Sequence, residues 1–196
     1  MIPQANTDAG SGTPLSQLKI TLCYSKPPIW RRVVVRADMK LHHLHRVIQV
    51  AMGWTESHMH QFRLGRVYYG MTELEPGGLG GDTLNEKKFT VADLAPAPKK
   101  KFIYEYDFGD SWEHEVLVEK VLPPDPAFKH PVCLAGANAG PPEDCGGIGG
   151  YYDLLEALAD PKHEQHEEMK EWIGDEWDAS RFNLAAINAG LKRLKA

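Results

Sequence analysis

The chain has 196 residues, 42% hydrophobic and 25% charged, with a formal net charge of −5. That length suits one domain or two small ones, and the composition excludes a wholly disordered chain. No run of about 18 apolar residues offers a membrane span, and the opening MIPQANTDAGSGTP lacks the basic start and apolar run of a secretory signal.

Charge is unevenly spread. Residues 1–100 carry thirteen Lys and Arg against eight Asp and Glu, whereas residues 101–196 carry nine against nineteen. Such a split marks either a basic and an acidic binding face or two halves that neutralise each other on packing. The acidic total argues against a dedicated nucleic-acid binder. Three cysteines, Cys23, Cys133 and Cys145, are an odd number without a signal and fit a reducing cytoplasm. Cys23 falls in a strand pattern and is expected in the core. Cys133 and Cys145 lack C-x-x-C spacing and read as unpaired thiols rather than metal ligands.

In chain order, residues 1–16 are small and polar and are expected to be a flexible tail before a single domain at 17–196. Gln17–Tyr24 alternates Leu18, Ile20 and Leu22 with polar positions, a strand pattern. Pro27 and Pro28 mark a turn, and Ile29–Val35 completes a hairpin. Asp38 is placed to cap a helix over Lys40–Met52, where Leu41, Leu44, Ile48 and Met52 recur at helical spacing and Gly53 provides a stop. His58–Leu64 and Val67–Met71 read as strands, followed by a Gly-rich loop over 72–86. Thr90 is a cap for the short VADL turn. Phe102–Phe108 and Trp112–Val121 are strands joined by a GDS turn. Residues 136–151 form a second Gly/Pro loop, and helices are expected at Tyr152–Ala159, His163–Trp172 and Asn183–Leu194, the last with Leu184, Ile187, Leu191 and Leu194 as its apolar stripe. The pattern is α+β: a mostly antiparallel sheet from the N-terminal two-thirds packed with helices, and a helical C-terminal third.

Several motifs fail on spacing. HEQHE places His163 and His166 three apart, where the zinc-protease helix needs four. The two Gly-rich loops do not give G-x-G-x-x-G between strand and helix. There is no P-loop, and Ser111 in GDSWE is not in a nucleophile elbow.

Two segments carry more chemistry. In SHMHQF, His58 and His60 are one residue apart, so on a strand their imidazoles point the same way, roughly 7 Å apart along the chain. This suits two ligands on one metal or a partly buried polar face. In YEYDFGDSWEHEV, Trp112 and His114 share the apolar face of a strand. A buried imidazole requires a hydrogen-bonding partner, and Asp107 and Asp110 in the adjoining turn are candidates, either as that partner or as co-ligands of a cation. His58, His60, Asp107, Asp110 and His114 together offer a mixed nitrogen and oxygen ligand set suited to a divalent metal such as zinc. In the PPEDCGG loop, Glu143 and Asp144 stand between rigid Pro141–Pro142 and permissive Gly146–Gly147. They read as an acidic site or as caps for the helix that carries Tyr151. Trp112, Glu143, Asp144 and Tyr151 are accordingly candidate binding residues.

These residues resemble the plasmid pRiA4b ORF-3-like family. The likeness runs from about Leu18 to Leu194 and rests on HMHQF, YEYDFGDSWEH, PPEDCGGIGGY, the DPKH segment (Asp160, Pro161, His163), Trp172, Phe182 and Asn188. The resemblance implies a one-domain α+β fold, a bacterial or archaeal source, and occurrence on plasmids, other mobile elements and chromosomes. Many relatives have a cysteine directly before PPED, where this chain has Gly140. Some relatives are labelled transposon resolvases. A serine recombinase needs a nucleophilic serine among arginines and a basic helix-turn-helix, and neither is found here.

The functional expectation is a soluble cytoplasmic binding or accessory protein of unestablished activity, linked to mobile elements by family, with a protein or small-ligand partner and no membrane. A metal-dependent hydrolase would use His58, His60 and His114 with Asp107 or Asp110 as ligand or base. A nucleic-acid accessory factor would use Arg31, Arg32, Arg36 and Arg63.

Overall fold

Period-two burial builds the sheet. On one strand Trp112, His114, Val116 and Val118 all face inward, and on its neighbour Phe102, Tyr104 and Tyr106 do the same. A computed structural model of the chain describes residues 12–72, 83–174 and 177–194. Its elements are β1 (Leu15–Leu22), β2 (Trp30–Arg36), α1 (Leu41–Met52), β3 (His60–Leu64), β4 (Val67–Gly70), β5 (Leu84–Asn85), a 3₁₀ turn (Glu86–Lys88), α2 (Val91–Leu94), β6 (Lys101–Tyr106), β7 (Trp112–Leu122), β8 (Val132–Ala137), α3 (Gly147–Ala159), α4 (His166–Ile173) and α5 (Leu184–Leu191).

The strands form one sheet in the order β5-β4-β3-β6-β7-β1-β2-β8. Every pairing is antiparallel except the short β4–β5 contact. The fold is therefore α+β with a mostly antiparallel sheet. β1 lies between β7 and β2, so that Leu18 pairs with Val118 on one side and Val33 on the other. Leu41, Leu44, Ile48 and Met52 of α1 share a core with Ile20, Val33, Tyr104 and Val116 of the sheet. Gly53 ends α1 in the left-handed conformation (φ 91°), as its position suggested. Thr90 caps α2 in a capping box with Asp93.

Several boundaries differ from the sequence reading. β1 starts at Leu15, and both Leu15 and Ser16 are buried; residues 1–11 of the expected tail lie outside the described residues, as do 73–82 of the first Gly-rich loop. Asp38 does not cap α1. Its carboxylate binds Arg36 and Thr13, and α1 begins at Lys40 without a side-chain cap. Cys23 lies just past β1, half-buried. β8 has no clean alternation and is not among the expected strands, its last two residues falling in the expected loop 136–151; it forms because β2 presents an unpaired edge to it. α3 begins at Gly147, five residues early, because its first turn is glycine and offers no periodicity. In α5 only Leu191 is fully buried, while Leu184 is exposed at the helix start.

Candidate metal centre

The β6–β7 turn and the loop before α3 meet the segment before β3. Asp107 opens the turn in the left-handed region (φ 57°), which Asp tolerates better than most residues. Its backbone N–H donates to the Met59 carbonyl at 2.8 Å. Its Oδ1 accepts from the N–H groups of Gly109 (2.9 Å) and Asp110 (3.4 Å). One carboxylate oxygen thus fixes the turn, and the other, Oδ2, faces His58 at 3.6 Å.

The opposite wall comes from the loop 141–146. Asp110 Oδ2 accepts the Gly146 N–H at 3.2 Å. Gly147, at φ 67°, lies so close that a Cβ there would stand 2.4 Å from the Asp110 carbonyl oxygen, which explains the glycine. Asp144, also left-handed (φ 61°), then places Oδ1 3.0 Å from His58 Nε2. His58 Nε2, Asp107 and Asp144 each offer a ligand atom, all within 4.8 Å of one another. His58 Nε2 is buried and makes no aligned hydrogen bond to either carboxylate. Asp144 remains mostly exposed, so the cluster is open to solvent on one side.

Tyr106 fastens this cluster from beneath. Its hydroxyl donates to Glu143 Oε1 at 2.5 Å and accepts from the N–H groups of Ser57 (3.0 Å) and His58 (3.2 Å). Glu143 Oε2 in turn accepts from the Thr55 N–H (3.1 Å) and hydroxyl (2.6 Å), and Trp54 Nε1 donates to the Pro141 carbonyl at 2.9 Å. Burial, reinforced by the Glu143 carboxylate, holds the Tyr106 phenol well above its usual pKa, so it remains a donor.

The five residues expected as one ligand set do not converge. His60 opens β3 on the core face, where its Nε2 meets Glu86 Oε2 at 2.8 Å with both side chains buried. Its ring stacks on His45 at 3.5 Å, and His45 Nδ1 is 2.7 Å from the Tyr104 hydroxyl. His114 is wholly buried, its Nδ1 3.0 Å from the Trp112 carbonyl rather than beside Asp107 or Asp110. Burial pushes its pKa down to about 4, which keeps it neutral. The reason is strand parity: His60 and His114 both sit at inward positions, whereas His58 precedes β3 and is free to turn toward the loops. Asp110 serves the loop junction. Trp112 and Tyr151 are core residues, Tyr151 packed edge-on to Trp177. Glu143 and Asp144 do not cap α3, whose N-cap is Gly146 without a side-chain bond.

The remaining sequence candidates are likewise placed. Arg32 pairs with Glu119, Arg36 with Asp38 and Arg63 with Glu113. Arg31 is buried. His166 Nδ1 lies 2.8 Å from the Ala157 carbonyl, and His163 Nδ1 accepts from the Gln165 N–H, so the two do not share a site. Burial and nearby Asp110 push the Cys145 thiol up to about 12, well removed from a reactive thiolate. One residue escaped the sequence reading, and another was given a different role. Glu86 was missed, because it ends the expected loop 72–86 with no periodic signal. Arg31, read as a candidate nucleic-acid contact, shares parity with Val33 and Val35 and faces inward.

Fold and site together define an α+β domain with a His/Asp/Asp cluster carried by a β-turn and a Gly/Pro loop. The chain belongs to the family described as plasmid pRiA4b ORF-3-like protein, whose model matches residues 14–186. It is 39% identical over 181 residues to the uncharacterized protein y4hQ of Sinorhizobium fredii (strain NBRC 101917 / NGR234), covering 92% of each chain. It is also similar to the crystal structure of MM3350, a protein of unknown function from Methanosarcina mazei Go1, with a TM-score of 0.78 and 32% identity over 89% of this chain and 97% of that one. Among the described residues no helix is long and apolar enough to cross a membrane.

Proposed function

We propose that the protein binds a divalent first-row metal ion, such as zinc or manganese, through His58 Nε2, Asp107 Oδ2 and Asp144 Oδ1, and presents the ion's remaining positions to a ligand. The observation that supports this is the convergence of one imidazole and two carboxylates within 4.8 Å, with His58 Nε2 buried and not aligned on either oxygen as a simple donor. A mixed nitrogen and oxygen set suits these ions. Three protein ligands with an open side resemble catalytic rather than closed structural sites. A metal-dependent hydrolase is the further step of this reading, the ion supplying activated water. His60 and His114 have no part in it. The arginines of β2 and β3 are paired or buried, which weighs against the nucleic-acid alternative. Three free thiols support a cytoplasmic setting, and the family's name supports a link to plasmids.

The test is elemental analysis and calorimetric titration of protein purified without an affinity tag. Wild type is expected to bind close to one equivalent of zinc or manganese. His58→Ala, Asp107→Asn and Asp144→Asn should each lose it, the asparagines because they keep the left-handed backbone but not the charge. His60→Ala and His114→Ala should retain it where folded. Undiminished binding in both Asp144→Asn and His58→Ala would sink the proposal.

A further inference from the structure

A groove of about 450 Å³ opens between the end of α1, the Pro141–Glu143 loop and the start of α5. That volume is ordinary for a small-molecule site. Arg31 lines it, although the residue is only 2% exposed. Its Nε donates to the Ala51 carbonyl at 2.7 Å, and its Nη1 donates to the carbonyls of Trp30 (2.8 Å) and Ala137 (2.9 Å). The Phe182 ring lies 5.2 Å from its Cζ. Among the described residues Nη2 makes no hydrogen bond. Among the described residues no carboxylate forms an ion pair with this guanidinium. Buried charges are as a rule paired, and a charged N–H donor bonds a carboxylate more strongly than a neutral acceptor. Here the guanidinium is held in place by three carbonyls while one terminal amino group is left over.

We propose that this groove receives a small organic acid, its carboxylate bound by Nη2 of Arg31 and its apolar body lying against Trp54, Pro142, Trp177 and Ile187. Glu143, Asp178 and a second cation, Arg181, also line the groove. Glu143 is held by Tyr106 and Thr55, and Asp178 Oδ1 accepts from the N–H and hydroxyl of Ser180. These two carboxylates against the guanidiniums of Arg31 and Arg181 leave no surplus positive charge for a doubly charged phosphate, which favours a singly charged carboxylate. The site stands on Arg31 and does not require an ion at His58, so it survives if the metal reading fails.

The experiment uses EDTA-treated protein, with phenylacetate as probe and phenylacetamide and inorganic phosphate as comparisons, read by thermal shift and tryptophan emission. Phenylacetate is expected to give a saturable response in the millimolar range, a modest affinity in keeping with so few atoms. The amide and phosphate should give little. Ala186→Phe fills the groove from an exposed position on α5 without touching Arg31, and should abolish the response in a folded protein. Arg31→Lys, which keeps the charge but loses the Nη2 donor and the carbonyl bonds that fix it, should weaken it about tenfold; if that variant does not fold, Ala186→Phe decides. An equal response to acid and amide, a stronger response to phosphate, an unchanged response in Ala186→Phe, or no saturable response to phenylacetate would each overturn the proposal.

Discussion

The Tyr106 hydroxyl donates to Glu143 Oε1 at 2.5 Å, so a residue at the end of a central strand holds the loop that carries Asp144. The same oxygen accepts the N–H groups of Ser57 and His58. Both sides of the candidate centre therefore hang on one phenol. Tyr106→Phe is expected to cost about 1–3 kcal/mol in denaturant unfolding, since it orphans two donors and one carboxylate. Metal affinity in titration calorimetry should fall by roughly 10–100-fold, as for loss of an outer hydrogen-bond partner. A variant with wild-type metal affinity would show that His58 and Asp144 are positioned independently of Tyr106.

His60 and Glu86 form a buried pair at 2.8 Å, away from the His58 cluster. Removing one member of such a pair leaves the other buried without its partner. Glu86→Ala should destabilise the fold by about 3 kcal/mol in denaturant unfolding, with metal content unchanged. His58→Ala should show the reverse: lost metal and a small change in stability. Loss of metal from Glu86→Ala at wild-type stability would move the centre to His60.

His114 gives a pH dependence whose sign is fixed. Its folded pKa is pushed down to about 4 by burial, against a usual value of 6.5. Below pH 6.5 the unfolded chain takes up the proton first, so stability falls as pH drops toward 4 and then levels. The contribution over that window is about 3 kcal/mol. His45, lowered to about 2 by burial and by His60, acts in the same direction. His114→Gln should flatten the curve between pH 6.5 and 4 relative to wild type in urea melts at several pH values. Parallel curves would mean that His114 is charged in the folded protein.

Gly147 and Gly149 open the same helix in different surroundings. A Cβ at Gly147 would lie 2.4 Å from the Asp110 carbonyl at φ 67°, while one at Gly149 meets nothing within 4 Å. Gly147→Ala should cost about 2 kcal/mol or more. Gly149→Ala should stabilise the protein by about 0.5–1 kcal/mol. Thermal melts of the two variants check both signs, and equal shifts would refute the close approach at Asp110.

The legible part of the sequence was its periodicity. Leu18, Ile20 and Leu22, the Phe102–Tyr106 alternation and the helical spacing from Leu41 to Met52 all carry one face each, and each stands in the element it suggested. The motifs SHMHQF and YDFGDSW lie in segments that the fold brings together, and His58 and Asp107 meet there. The missing step was the start of β3 at His60, which leaves His58 outside the strand and free to turn from the inward His60; His114 stands on the apolar face as read, without Asp107 or Asp110 beside it. Asp144 joins the cluster through the Tyr106–Glu143 and Asp110–Gly146 contacts, which span 37 and 36 residues of sequence and leave no local signature. β8 and the buried pairing of Glu86 depend on neighbours far along the chain in the same way.

β1 lies in the middle of the sheet although it comes first in the chain, and its partner β7 ends at Leu122. During synthesis the β1–β2 hairpin must therefore wait, one edge open, until about 100 residues more have left the ribosome. An unpaired strand of Leu18, Ile20 and Leu22 in that interval is a template for association with other chains. Nascent protein is thus most exposed to aggregation before β7 arrives, and expression yield should depend on the speed of translation through β6 and β7 more than on changes to α4 or α5.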